Sequence, residues 1–372
     1  MHKFCSVFPK VKKNTKRGVH FYLGKTIMKA VKDKNRIQIE ITNACIFSCT
    51  NCYKFVPHFV RPHFMELETV KKAIDSLEGY QGQFGITGGE PTLHPNFVDI
   101  CRYLRKKVPP DQRYLQTTGY KWREYKTVIK KTFAERVRCN DHKDLTQKHQ
   151  PMLVAIKDVV TDDSLRKELV GKCWVREKWS AVINAKGCFS CEIAGAFDAL
   201  YNGPGGHPIE KGWWAKSDEH FNDQFERYCW QCGAALPYPC VTIQNRNDQV
   251  SISHYSELKK RQSPKFKNNH VSLVVKEYSP REIRQISENW KPWQNHGEQE
   301  KDPKQVILQR YGKMGSIFLR CRLKSRRRSH KFRKLDHYLG RFFWRLSNKF
   351  DLSPHLNSSN EFYPFVQTVT HK

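Results

Sequence analysis

No stretch of this chain runs to 18 or more apolar residues, so no membrane-spanning helix is expected. The opening residues, MHKFCSVFPKVKKNTKRG, lack an apolar core of export-signal length, and no internal repeat is visible. Acidic residues are scarce at both ends. Residues 1–35 hold ten Lys/Arg against the single acid Asp33, and residues 320–349 hold twelve against Asp336. What is present follows from these gaps. The 372 residues carry a net charge of +30, which favours an acidic partner such as nucleic acid, anionic lipid or a phosphorylated substrate. Hydrophobic residues make up 38% and are spread throughout, enough for one large core or a core plus a smaller domain. Thirteen cysteines without an export signal point to metal in a reducing compartment, and a cytoplasmic location is expected.

Strands and helices alternate through the first half. Ile37, Ile39 and Ile41 alternate with Arg36, Gln38 and Glu40, the period of a strand. Leu67, Val70, Ile74 and Leu77 recur at helical spacing, and Gly79 closes that helix. Strands are predicted at 83–87, 113–117, 136–140 and 152–160, and helices from about Pro95, over 122–133 and over 163–170. This order predicts parallel βαβ units, a partial (β/α) barrel of about six units within residues 36–172, preceded by a basic segment, 1–35. Such barrels place their chemistry at the C-terminal ends of the strands. From Cys173 the texture changes to a hairpin (179–191) with its turn at Lys186-Gly187, a helix over 193–200, a Gly/Pro loop over 202–208 and a helix over 218–229. Residues 173–240 are expected to form a small cysteine-rich domain. Residues 241–372 form a basic extension, in which 241–305 show no clear periodicity. Its one clear helix carries the apolar stripe Leu335, Tyr338, Leu339, Phe342, Phe343 and Leu346.

The chemistry concentrates in ITNACIFSCTNCYKF, residues 41–55. Cys45, Cys49 and Cys52 follow the spacing C-x3-C-x2-C directly after the first strand. Three thiolates are one too few for a closed tetrahedral zinc site. They suit a [4Fe-4S] cluster whose fourth iron stays open to a small ligand. Three buried thiols, or part of a zinc site, are the bland alternatives. Of the other cysteines, Cys173, Cys188, Cys191, Cys229, Cys232 and Cys240 form a second set. Cys188 to Cys191 with Cys229 to Cys232 could make a CxxC…CxxC zinc site, whereas Cys5, Cys101, Cys139 and Cys321 read as buried or incidental thiols. His58, His63 and His94 show no metal-ligand pairing. Trp213 and Trp214 suit core packing or a loop anchor better than a pocket wall.

The three-cysteine spacing resembles the signature of the radical S-adenosylmethionine (SAM) superfamily, and Gly88-Gly89-Glu90-Pro91, one βα unit later, resembles that family's second motif. The resemblance covers about residues 36–160. It implies that Cys45, Cys49 and Cys52 hold a [4Fe-4S] cluster, that SAM binds its open iron, and that Glu90 meets the cofactor's amino group beside the Gly88-Gly89 backbone. It further implies ribose contacts from Thr117 and Thr118. The aromatic residue that often precedes the third cysteine is here Asn51, with Tyr53 following, and either is a candidate for adenine. The segment VINAKGCFSCE, residues 182–192, resembles the hairpin of SPASM and twitch extensions. The shorter form implies one auxiliary [4Fe-4S] cluster on Cys173, Cys191, Cys229 and Cys232, with Cys188 and Cys240 spare. The implied activity is a radical SAM oxidoreductase. It would abstract hydrogen from a small polar or anionic substrate of sugar, cyclitol or nucleotide type, with an external electron donor of flavodoxin or ferredoxin type. Two rivals stand beside it: a peptide-modifying radical enzyme, and a non-enzymatic zinc and nucleic-acid binding protein. The basic C-terminal helix could serve nucleic acid or an anionic membrane surface, or simply dock on the core.

Overall fold

The computed structural model describes residues 30–140, 142 and 147–290. The basic segments 1–29 and 291–372, including the predicted amphipathic helix and residues Cys5 and Cys321, lie outside the described residues.

Four strands and three helices alternate in chain order: β1 (Arg36–Glu40), α1 (Leu67–Ser76), β2 (Gln83–Thr87), α2 (Phe97–Lys107), β3 (Arg113–Thr117), α3 (Trp122–Phe133) and β4 (Val137–Cys139). All four strands are parallel, with Gln38 opposite Gly85 and Ile86 opposite Leu115. The odd-numbered isoleucines of β1 enter the larger apolar core. There Ile37 and Ile39 join Ile86, Leu115 and Val137 beneath Val70 and Ile74 of α1, Ile100 and Leu104 of α2, and Ile129 and Phe133 of α3. Because side chains alternate along a strand, Gln38 and Glu40 are left on the face of the sheet opposite these helices. Trp213 is buried in the same core, and Trp214 packs against Tyr80 at 5.5 Å between ring centroids, so both serve packing.

The chain then takes a short strand, β5 (Lys148–His149), and the small helices α4 (Ile156–Val159), α5 (Asp163–Gly171) and α6 (Trp174–Lys178). The strand predicted over 152–160 is therefore corrected to a turn followed by one helical turn. Met152 to Ile156 are buried on every side, and a short apolar run without alternation carries no period that separates strand from helix. The barrel count changes with it. β6 (Ala181–Asn184) is the fifth parallel strand and pairs with β1, and β7 (Gly187–Phe189) folds back antiparallel on β6. The sheet order is β4-β3-β2-β1-β6-β7, five parallel strands and one antiparallel instead of six βα units. The hairpin segment thus extends the central sheet, with Val182 and Phe189 facing a second core around Phe55, Phe197 and Tyr228.

After α7 (Glu192–Tyr201), the helix predicted over 218–229 is split. Asp218–Phe221 and Cys229–Gln231 are 3-10 turns, with α8 (Asn222–Tyr228) between them. Residues beyond 240, unplaced by periodicity, form β8 (Val241–Thr242), β9 (Asp248–Val250), α9 (Ile252–Lys260), α10 (Pro264–Lys267), β10 (Val271–Leu273) and α11 (Pro280–Asn289). β9 pairs in parallel with β10, and the amide of Thr50 donates to Ile243 O at 2.9 Å. This segment therefore packs against the three-cysteine loop. No helix among the described residues is long and apolar enough to cross a membrane.

Candidate functional site

The three-cysteine loop leaves the C-terminal end of β1 and is laced to the loop after β2. Gly89 N–H donates to Thr42 O at 2.8 Å, and Glu90 N–H donates to Ala44 O at 2.7 Å. The glycines make this possible. A Cβ on Gly88, whose φ is +149°, would stand 2.2 Å from Thr42 O, and one on Gly89 would stand 2.3 Å from Ala44 O. The close approach these glycines permit is to the cysteine loop itself. Cys45, Cys49 and Cys52 are each partly buried and lie near enough to affect one another's ionisation. Burial pushes the Cys45 thiol up to about 12, against the opposing pull of the Phe47 amide, and burial also raises Cys49 and Cys52. Thiols held protonated in this way become ligands only when a metal replaces the proton, and that donor set fits an iron–sulfur cluster.

Glu90 is fully buried beside this loop. Its carboxylate accepts from the Thr92 amide (3.0 Å) and hydroxyl (2.6 Å), the Thr117 hydroxyl (2.7 Å), and the Thr118 amide (2.7 Å) and hydroxyl (2.6 Å). Thr117 and Thr118, expected on the ribose, therefore grip Glu90. The end of β3 lies beside the end of β2, so their hydroxyls meet the nearest buried charge first. Asn51 adopts a left-handed φ of 49°, accepts from Gln249 N–H at 3.0 Å and leaves its side-chain nitrogen buried without a partner. Tyr53 is built into packing. Its ring lies 4.7 Å from that of His149 and its hydroxyl accepts from Gln150 N–H.

Four of the second set line a single mostly apolar cavity. Cys173, Cys191, Cys229 and Cys232 line it together with Arg176 and apolar side chains including Ile193 and Phe197. Burial raises all four thiols. Amides of α6 oppose this at Cys173 and amides of α7 oppose it at Cys191, as helix N-termini favour thiolate. Cys188 lies on the other face of β7, fully buried in the helix-side core, and Cys240 stands apart near Lys148. The structure thus gathers the four cysteines that the twitch-like reading named and leaves out the two it named as spare. Among the described residues no group of three or more His, Cys, Asp or Glu is arranged to hold a single metal ion. Cluster ligands bind separate irons, so the same thiols can be grouped and still stand too far apart for one ion. Cys101 is buried on the inner face of α2, and Cys139 is the last residue of β4.

Two buried charge networks escaped the sequence reading. Lys54, two residues after Cys52, reaches Glu192 (3.1 Å), Glu40 (3.2 Å) and Gln38 (3.1 Å). Glu192 directly follows Cys191 and also accepts from Ser180 Oγ at 3.2 Å. One ion pair therefore links the two cysteine sites along the polar face of β1 that carries Gln38 and Glu40. Lys54 and Glu192 were legible only as neighbours of cysteines. The second network joins Asp248 to His58 (2.7 Å) and Lys265, and Lys265 donates to Cys49 O at 3.0 Å. His58 also bonds Ser263 Oγ at 2.8 Å, and His94 donates to Met65 O at 2.8 Å.

Comparison with known proteins places these motifs. Residues 39–136 match the family model described as the radical SAM superfamily. A GTP 3',8-cyclase from Pasteurella multocida is 30% identical over 88 residues, covering 23% of this chain and 26% of that protein. The corresponding protein of Actinobacillus succinogenes is 28% identical over 88 residues, again 23% and 26%. The chain thus matches about a quarter of the length of these curated relatives. Among solved structures, BtrN in complex with AdoMet and 2-DOIA aligns over 53% of this chain and 88% of its own. The identity is 14% and the TM-score 0.33, too slight a likeness to bear on fold or site.

Proposed function

Residues 39–136 being a radical SAM superfamily domain, we propose that this protein is a radical SAM enzyme with one auxiliary cluster, acting on a small polar substrate in a net oxidation. The observation that carries this reading is the Lys54–Glu192 pair. It connects a three-cysteine loop to a four-cysteine cavity across the polar face of β1. Cys45, Cys49 and Cys52 would hold the reducing [4Fe-4S] cluster, and Cys173, Cys191, Cys229 and Cys232 the auxiliary one. Bound there, the cluster and SAM would supply the radical chemistry for hydrogen abstraction from the substrate.

The chain's own residues do the positioning. The Glu90 carboxylate is held by the neutral amide and hydroxyl donors of Thr92, Thr117 and Thr118, so its negative charge is left to attract the ammonium group of the cofactor's methionine. Thr92, Thr117 and Thr118 fix its orientation. Gln38, Glu40, Lys54 and Glu192 give the polar face of β1 donors and acceptors suited to hydroxyl and amino groups. An external flavodoxin- or ferredoxin-type donor would supply the electron.

The test is anaerobic reconstitution followed by assay. About eight irons per chain are expected for two [4Fe-4S] clusters. SAM should be cleaved to 5′-deoxyadenosine after reduction, with deuterium from a labelled substrate appearing in the product. Zinc without iron, or no cleavage by the iron-loaded protein, overturns the reading.

A further inference from the structure

Arg176, on α6, lies on the wall of the four-cysteine cavity and is 7% exposed. One terminal nitrogen, Nη1, donates to Val170 O at 3.2 Å, and the guanidinium sits 4.8 Å from the centre of the Phe225 ring. Its other two nitrogens, Nε and Nη2, are buried and have no hydrogen-bond partner among the described residues. A buried, charged donor without an acceptor is costly, so an acceptor belonging to the site is the natural complement. The surrounding wall offers thiols and apolar groups. The positive charge is felt at two of the four sulfurs, since it favours the thiolates of Cys173 and Cys229.

We propose that Arg176 is a positioning and potential-setting residue of the auxiliary cluster: its free N–H groups donate to cluster or thiolate sulfur, and its charge offsets that of the four-thiolate centre. This rests on the auxiliary-cluster reading above. A [4Fe-4S] centre with four thiolates is anionic, and an apolar cavity disfavours adding an electron. Hydrogen bonds to sulfur and a neighbouring cation act the other way. Arg176 therefore makes the centre easier to reduce, the property required of an electron acceptor.

The experiment uses the full chain with Cys45, Cys49 and Cys52 replaced by Ala, so that only the second site can hold iron. This parent, its Arg176→Lys form and its Arg176→Met form are reconstituted anaerobically. Iron and sulfide are counted, and the paramagnetic signal is titrated against potential. The parent should hold about four irons. Arg176→Met should disfavour one-electron reduction about tenfold, a fall of roughly 59 mV. Arg176→Lys, which keeps the charge but loses the fork, should fall by less. Iron lost from the Met form but kept by the Lys form also supports the proposal, because charge is then the requirement. An unchanged midpoint in Arg176→Met at full iron overturns it while leaving the cluster reading intact. Iron lost equally from both forms assigns Arg176 to packing and overturns it as well. A parent without iron removes the auxiliary cluster itself, and this inference falls with it.

Discussion

Lys265 donates a hydrogen bond to the backbone oxygen of Cys49 from 216 residues further along the chain. The same ammonium pairs with Asp248, which accepts from the Asn51 amide at 2.7 Å and from His58. Lys265 is 2% exposed and Asp248 is 1% exposed. A segment outside the radical SAM match therefore clamps the three-cysteine loop through a buried ion pair.

Removing one partner of such a pair strands the other. Lys265→Met should destabilise the protein by about 3 kcal/mol, the lower end of the range for broken buried pairs, because His58 and the Asn51 amide still face Asp248. The double variant with Asp248→Asn should recover part of the loss. Urea unfolding of the four members of this cycle measures both. Additive losses would mean that the clamp does not act as a unit.

Glu90 presents a charge, and Glu90→Gln keeps its size while removing that charge. All five donors would then face a neutral amide, one of whose atoms is itself a donor, so some stability is lost. The larger effect is expected on SAM. Binding should weaken about tenfold or more, the worth of a charge-assisted hydrogen bond, while iron at the three-cysteine loop is retained. Equilibrium dialysis against SAM with parallel iron counts separates the two. Unchanged SAM affinity would remove Glu90 from the ammonium site.

What could be read beforehand depended on range. β1 and α3 were legible because their apolar residues repeat within a few positions, at periods of two and 3.6. The C-x3-C-x2-C loop was legible for the same reason, and four distant cysteines were grouped only through a resemblance. Met152 to Val160 failed because a run buried on all sides has no pattern. Thr117 and Thr118 were visible as polar residues at a strand end, but their partner depends on how β2 and β3 line up. Lys265, Asp248 and Arg176 gave no local signal, since each matters through residues that only folding brings near.

The cysteines of the second set divide by strand face. Cys188 contributes to the helix-side core and not to the cavity, so Cys188→Ala should keep all iron and cost about 1 kcal/mol through a small lost packing volume. Cys229→Ala should lose about half of the iron and spare at least part of SAM cleavage. Iron counts on both variants decide the matter. Equal iron in Cys229→Ala and wild type would remove the auxiliary site.

Acid should weaken the fold above the range in which carboxylates titrate. His254 is 2% exposed, accepts from the Tyr201 hydroxyl and donates to Gln231 O, so it is held neutral. Burial lowers its pKa from 6.5 to about 4, outweighing the opposing pull of the Gln231 carbonyl. Below pH 6.5 the unfolded chain binds a proton that the folded chain refuses. Stability is therefore full above 6.5 and falls as pH drops toward 4. At about 1.4 kcal/mol per pH unit, this one residue removes roughly 2 kcal/mol between pH 6.5 and pH 5. Asp248 and Asp158 are depressed below 3.8, so their stabilisation is present above that value and is lost only at lower pH, outside this window. Anaerobic urea unfolding at pH 7.5, 6 and 5 should show a falling midpoint, and in His254→Gln the fall should be smaller by the share assigned to this residue. A profile of equal slope in the variant would assign the acid sensitivity to other groups.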